Sequence, residues 1–331
     1  MRQTISSISK VQEFDFSVNF RSFPDERSLE LRIFHIVEAV FRMLAHLFKI
    51  LYRFLFFSPD ETLYPTPTLT DQGQYCFDLS NLPWKDDTSS EGLYLFIHGL
   101  GGKPWEWMSY IEALNPNIHR LAPHVPCAGF CSLENEEIPL MPILEDYLKK
   151  FPGAPLHLIG TSNGGRIASH LETHLSPELI KGRSLSVISI AGVHGGTVLI
   201  DSLKQLGVAS LLHPGVIDSL SYNSLSSQNL LKQWQDKQYE WHRHDIKVRH
   251  CFYATREDEM IWPISSALPF LPHTQVEDYH VFHGYSHLTL LDGVREDIFA
   301  RYFSSAAHLI NRKFSCYGKQ NQHPLNFRST R

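Results

Sequence analysis

Residues 156–165 read LHLIGTSNGG. Ser162 stands between Gly160 and Gly164, directly after a short apolar run. A hydroxyl in that setting can act as a nucleophile if a nearby base takes its proton. Gly-x-Ser-x-Gly alone recurs by chance in roughly one in ten chains of this size, so its flanks decide. Pro155 followed by Leu156-His157-Leu158-Ile159 predicts a buried parallel strand. Arg166 to Leu175 carries apolar residues at helical spacing. Strand, serine and helix in that order are what a nucleophile elbow requires. The alternative is an ordinary glycine-rich loop.

Such a serine needs further parts: N–H donors for an oxyanion, a histidine base, and a carboxylate to orient that base. Residues 94–102, YLFIHGLGG, read as a buried strand ending in His98-Gly99-Leu100-Gly101-Gly102. Glycines let the backbone turn an N–H toward a substrate oxygen. The expected donors are the backbone amides of Leu100 and Asn163. For the base, HGYSHL at 283–288 follows the strand-like Tyr279 to Phe282 and precedes a helix. His287 is the candidate, with His283, His280, His194 and His98 as competitors. For the acid, HCFYATREDEMIWP at 250–263 has a strand ending near Ala254 and then Glu257, Asp258 and Glu259. Asp258 is the candidate, Glu257 and Glu259 read as solvated loop charges, and Asp278 is the second choice.

The elements that must position these groups are readable in outline. Strands are expected at Tyr94–Ile97, Leu156–Ile159, Ser184–Ile190, Ile246–Ala254 and Tyr279–Phe282. Helices are expected at Trp105–Leu114, Leu140–Phe151, Arg166–Leu175 and Leu288–Ala307. Alternating strands and helices imply a mainly parallel central sheet with helices on both faces. Sites in such sheets form at the carboxyl ends of the strands, and Ser162 falls at one.

The chain order Ser162, Asp258, His287 agrees with one known arrangement of the triad. Together with HGLGG, GTSNGG, TREDEMIWP and GYSHL, it makes residues from about 90 to 310 resemble an α/β-hydrolase of the esterase/lipase type. The resemblance implies an α/β-hydrolase fold and a Ser162–His287–Asp258 triad with an acyl-enzyme. It also implies hydrolysis of lipid-like carboxylic esters, and no cofactor or metal. The stretch 198–244 would be a lid or cap insertion. SIAGVHGGTVLID, 189–201, is similar to the Pro-His-x-Gly-Ser/Thr stretch of bacterial-type lipases, which makes His194 a neighbour of the site and not its base. Thr161 and Val193 depart from that pattern, where His or Tyr and Pro are usual. Other readings of the same parts are an acyltransferase or thioesterase, or a non-catalytic lipid-binding or interaction protein.

Bulk properties narrow the partners. The chain has 331 residues, 43% of them hydrophobic, and a net charge of −5. That balance excludes the basic footprint of a nucleic-acid binder. Among 19 histidines no pair shows the His-Glu-x-x-His pattern of a metal site. Cys76, Cys127, Cys131, Cys251 and Cys316 are odd in number and scattered. They read as reduced thiols of a cytoplasmic protein, not as a disulfide framework. Met1 to Arg21 lacks the pattern of a cleavable secretory signal, and export without one stays open. Three regions are expected: an extension over 1–60, the catalytic domain over 61–310, and a basic tail over 311–331.

The extension contains an amphipathic helix, expected over 29–57. Within RIFHIVEAVFRMLAHLFKILYRFLFF, 32–57, Arg32, His35, Glu38, Arg42, His46, Lys49 and Arg53 recur every three or four residues. At helical spacing they fall in an arc of about 120°. A polar residue in every turn argues against a transmembrane span. The apolar remainder packs on protein, or it lies in a membrane interface with its basic face outward. Deleting residues 1–58 separates these readings. A docked helix predicts an aggregating truncation. An interfacial helix predicts a soluble one that loses salt-sensitive binding to anionic vesicles, at about 1 kcal/mol per basic residue. Equal vesicle sedimentation of both forms rules out the anchor.

Overall fold

The computed structural model describes residues 82–302, apart from 83, 85, 86, 116, 131, 138, 208–213 and 273–277. The expected helix over 29–57, the tail over 311–331 and residues 208–213 of the expected lid lie outside the described residues.

Six strands form one sheet. They are β1 (Leu93–Ile97), β2 (His119–Leu121), β3 (Leu156–Thr161), β4 (Leu185–Ile190), β5 (Val248–Thr255) and β6 (Tyr279–Phe282). Their order across the sheet is β2-β1-β3-β4-β5-β6, and every pair is parallel. Helices are α1 (Met108–Ile111), α2 (Leu133–Glu137), α3 (Met141–Lys150), α4 (Asn163–His174) and α5 (Pro177–Ile180), followed by α6 (Val198–Gln205), α7 (Pro214–Leu220), α8 (Leu225–Arg243), α9 (Leu290–Gly293) and α10 (Arg295–Tyr302).

The central strands β1, β3 and β4 are largely apolar and buried because helices cover both of their faces. Every residue of β1 and β4 is buried. Successive side chains point to opposite faces, and the contacts follow that rule. From β5, Phe252 and His250 meet Trp234 of α8. The next residue, Tyr253, donates its hydroxyl proton to Asp297 of α10 on the other face. From β1, Phe96 packs on Trp107 and Tyr110, and Tyr110 packs on Phe299 of α10.

The α4 face is pinned by a buried carboxylate. Glu172 is fully buried. It accepts from Trp234 Nε1 at 2.6 Å, Trp241 Nε1 at 2.9 Å and Gln238 Nε2 at 2.9 Å, and meets His250 Nε2 at 2.9 Å. Burial alone would raise its pKa. The charge and hydrogen bond of His250, with the bonds from Gln238 and Trp234, reverse this and lower it. One acidic side chain thus ties α8 to α4 and to β5.

This bears on the stretch expected as a lid, 198–244. Its last two fifths are α8, whose buried Trp234 and Trp241 pack it into the sheet's helical cover. Its Ser227 and Gln238 are buried along with the tryptophans. The final helix expected over 288–307 is interrupted at Val294, between α9 and α10, and 303–307 lie outside the described residues.

Removing the Glu172 carboxylate leaves buried donors without an acceptor. Glu172→Ala should therefore lose about 3–5 kcal/mol in urea unfolding. A loss below about 1 kcal/mol would show that packing alone holds α8.

Candidate active site

Ser162 caps the start of α4 with φ 53° and ψ −125°. That is a strained conformation for a residue with a side chain. The neighbouring glycines are demanded by close contacts. A Cβ on Gly160 would lie 2.1 Å from the Gly164 oxygen, and one on Gly164 would lie 2.1 Å from the Ile97 oxygen. The turn therefore packs backbone against backbone, between β1 and the first turn of α4. It is pinned from the other side by the Ser162 N–H, which donates to Ile190 O at 2.9 Å.

The loop after β1 lies directly against this turn. A Cβ on Gly99 would meet the Ser162 Cβ at 2.7 Å. His98 locks the loop. Val125 N–H donates to His98 Nε2 at 3.0 Å, so the ring proton sits on Nδ1 and is donated to Gly99 O at 2.8 Å. Burial pushes the His98 pKa down to about 4. Gly101 N–H bonds Ala128 O at 2.7 Å, which joins the loop to residues 126–129. Gly129 then bridges the two expected oxyanion residues. Its oxygen accepts from Asn163 Nδ2 at 3.1 Å, and a Cβ on it would lie 3.4 Å from the Leu100 Cα. The Asn163 side chain also donates to the buried Glu136 at 3.2 Å. Among the described residues, the backbone amides of Leu100 and Asn163 carry no hydrogen bond.

Asp258 and His287 come together from the loops after β5 and β6. Asp258 Oδ2 lies 2.9 Å from His287 Nδ1. Its Oδ1 accepts the amides of Met260 at 2.9 Å and Ile261 at 2.8 Å. A carboxylate only accepts, so in the neutral ring the His287 proton sits on Nδ1 and Nε2 carries the lone pair. Both side chains are more than nine-tenths buried. Burial lowers the His287 pKa, but the Asp258 charge and hydrogen bond, with the Glu259 charge, raise it above the ordinary value.

The flanking glutamates are not solvated loop charges. Glu257 accepts from Thr255 Oγ1 at 3.1 Å and from the Gly284 amide at 3.0 Å. Glu259 accepts the His287 amide at 3.0 Å. They tie the two loops together around the Asp258–His287 pair. Sequence order could not reveal this, because the partners lie 27 and 28 residues away.

The competing residues are placed elsewhere. His98 has both ring nitrogens engaged. His194 is fully buried, with Nε2 2.8 Å from Ser189 Oγ and Nδ1 3.4 Å from Ser169 Oγ. His280 stacks on Tyr253 within the sheet, and His283 is half-exposed beside Glu257. Asp278 precedes β6, at the strand end opposite the loop that carries His287. Ser162 lies on the same carboxyl edge of the sheet as Asp258 and His287, and its hydroxyl makes no hydrogen bond to His287 among the described residues. Catalytic hydrogen bonds are often long until substrate binds.

The parallel strand order and the sharp strand–serine–helix turn give the chain an α/β-hydrolase fold. No protein-family model matches the sequence, and no curated protein does. Solved structures similar to this chain include phospholipase PlaB from Legionella pneumophila, at 18% identity and a TM-score of 0.35 over 49% of this chain and 39% of that one. Lipase BlEst2 from Bacillus licheniformis is 15% identical, with a TM-score of 0.44 over 66% of this chain and 92% of that one. MenH from S. aureus is 14% identical, with a TM-score of 0.42 over 67% and 96%. The chain thus spans about two fifths of the length of the phospholipase.

The His287 environment makes a prediction independent of any substrate. Its imidazole should titrate above the free value of about 6.5. Asp258→Asn removes the leading cause of the rise and leaves burial, which lowers the pKa, so the midpoint should fall. NMR titration of the histidine ring, assigned with His287→Gln, measures both. An unchanged midpoint in Asp258→Asn contradicts the pairing.

Proposed function

We propose that this chain is a serine hydrolase cleaving carboxylic esters of lipid-like substrates through an acyl-enzyme. The observation that carries the reading is the Asp258–His287 pair, with its proton fixed on Nδ1. It lies on the same sheet edge as a serine held in a strained turn.

In the proposed reaction Ser162 Oγ attacks the ester carbonyl carbon and its proton passes to His287 Nε2. The imidazolium is balanced by Asp258. The carbonyl oxygen becomes an oxyanion and receives the free amides of Leu100 and Asn163. Collapse of the tetrahedral intermediate breaks the bond to the alcohol oxygen, which takes the proton from His287. Water then attacks the acyl-serine, again losing its proton to His287. The acid leaves and Ser162 regains its proton.

Support for an apolar acyl group comes from exposed residues next in sequence to the site's loops. Trp105 follows the oxyanion loop, Trp262 follows the Asp258 loop and Leu288 adjoins His287, and all three are exposed. Apolar side chains in these places offer surface to an alkyl chain.

Hydrolysis of nitrophenyl esters of increasing acyl length tests the proposal. Ser162→Ala should lower turnover on the order of a millionfold with an unchanged melting temperature. Asp258→Asn should cost on the order of ten-thousandfold. Residual Ser162→Ala activity within about tenfold of wild type would assign the chemistry to another nucleophile.

A further inference from the structure

Helix α4 carries a second group of chemically capable side chains. His170 and His174 are one helical turn apart and share a face. His170 is eight residues beyond Ser162, about 12 Å along the axis. Glu137 ends the neighbouring helix α2. Its Oε2 lies 2.5 Å from His170 Nδ1 and its Oε1 lies 3.2 Å from His174 Nδ1. The three donor atoms are all within 4.8 Å of one another. The His170 and Glu137 side chains are 6% and 10% exposed, while His174 is 47% exposed.

The contact between His170 and Glu137 is close but not an aligned hydrogen bond. Nδ1 of His170 is buried and has no hydrogen-bond partner. The carboxylate oxygen therefore lies beside the in-plane direction of that nitrogen, not along it.

We infer that Glu137, His170 and His174 form a binding site for a divalent transition-metal ion of the zinc class. Two imidazoles and a carboxylate suit such an ion, while calcium and magnesium prefer oxygen ligands. Zinc bonds of about 2.0–2.1 Å place tetrahedral donors roughly 3.3 Å apart. The two Glu137–histidine contacts, 2.5 and 3.2 Å, lie at or below that value, so the carboxylate must draw back slightly from His170 to admit an ion. His174 Nδ1 now lies 3.0 Å from His170 O and 3.1 Å from Thr173 Oγ1, and it must leave those neighbours to bind. Its exposure leaves access for the ion and room for water as a fourth ligand. His170 also borders a polar cleft of about 760 Å³.

The ion would join α2 to α4. Helix α2 also carries Glu136, which holds the Asn163 side chain. The site is thus a clasp behind the oxyanion amides and takes no part in the ester chemistry. The inference stands without the proposed hydrolase activity.

Calorimetric titration of the full chain with zinc tests it, alongside cobalt absorption and thermal unfolding. The expected result is one ion bound at this site with micromolar or tighter affinity, tetrahedral-type cobalt bands, and a higher melting temperature with zinc. His174→Ala, at the exposed ligand, should fold normally by circular dichroism. It should weaken binding at least about tenfold and abolish the thermal shift, and Glu137→Gln should do the same. Failure of the folded wild type to bind zinc, or equal affinity and thermal shift in His174→Ala, overturns the proposal and leaves a Glu–His ion-pair cluster only.

Discussion

The backbone at Ser162 is the constraint on which the rest of the site depends. A residue with a side chain at φ 53° costs on the order of 1–3 kcal/mol. It persists only where surrounding structure leaves no alternative. Here β3 is paired on both sides, and the Ser162 amide is bonded to the end of β4. Gly160 and Gly164 let the turn close to distances no side chain would allow. The same closeness sets Gly99 against Ser162 and so draws the loop after β1 to the head of α4. Position at one sheet edge, free amides and an accessible hydroxyl all follow from that single turn.

Charge is organised around it in two ways. Asp258 is satisfied by two amides and one imidazole, so its charge is fixed in direction as well as in place. Glu257 and Glu259 hold the backbones of the two loops that carry the pair. Farther in, Glu172 and Arg166 are fully buried. Arg166 donates to Ser219 O and to Ser226 Oγ, and burial lowers its pKa to about 10, against the opposing pull of Glu136 and Glu134. These inner charges hold the helices that cover the sheet, and the outer ones orient groups at its edge.

Much of this was legible in the sequence because it is local. The strands at 156–161, 185–190 and 279–282 appear as apolar runs within a residue or two of their observed ends. Ser162, Leu100 and Asn163 follow from glycines next to such runs. What escaped notice depends on contacts across the chain. Strand β2 has only three residues and offers too little pattern. The tie of helix α8 to the sheet has no local signature, because its two buried tryptophans are bonded to Glu172, more than sixty residues away. Glu136, Gly129 and the tie between Glu259 and the His287 amide have no signature of their own. The pair His170 and His174 did carry one, a four-residue spacing on a helix, but its third partner sits on α2.

The most direct test of the central claim is covalent labelling by a fluorophosphonate, which reacts with a serine only when its hydroxyl is activated. Peptide mass spectrometry of the labelled chain reads the modified residue. The account predicts one adduct, on Ser162, formed much more slowly in Asp258→Asn. An unlabelled folded chain, or an adduct on another serine, would contradict it.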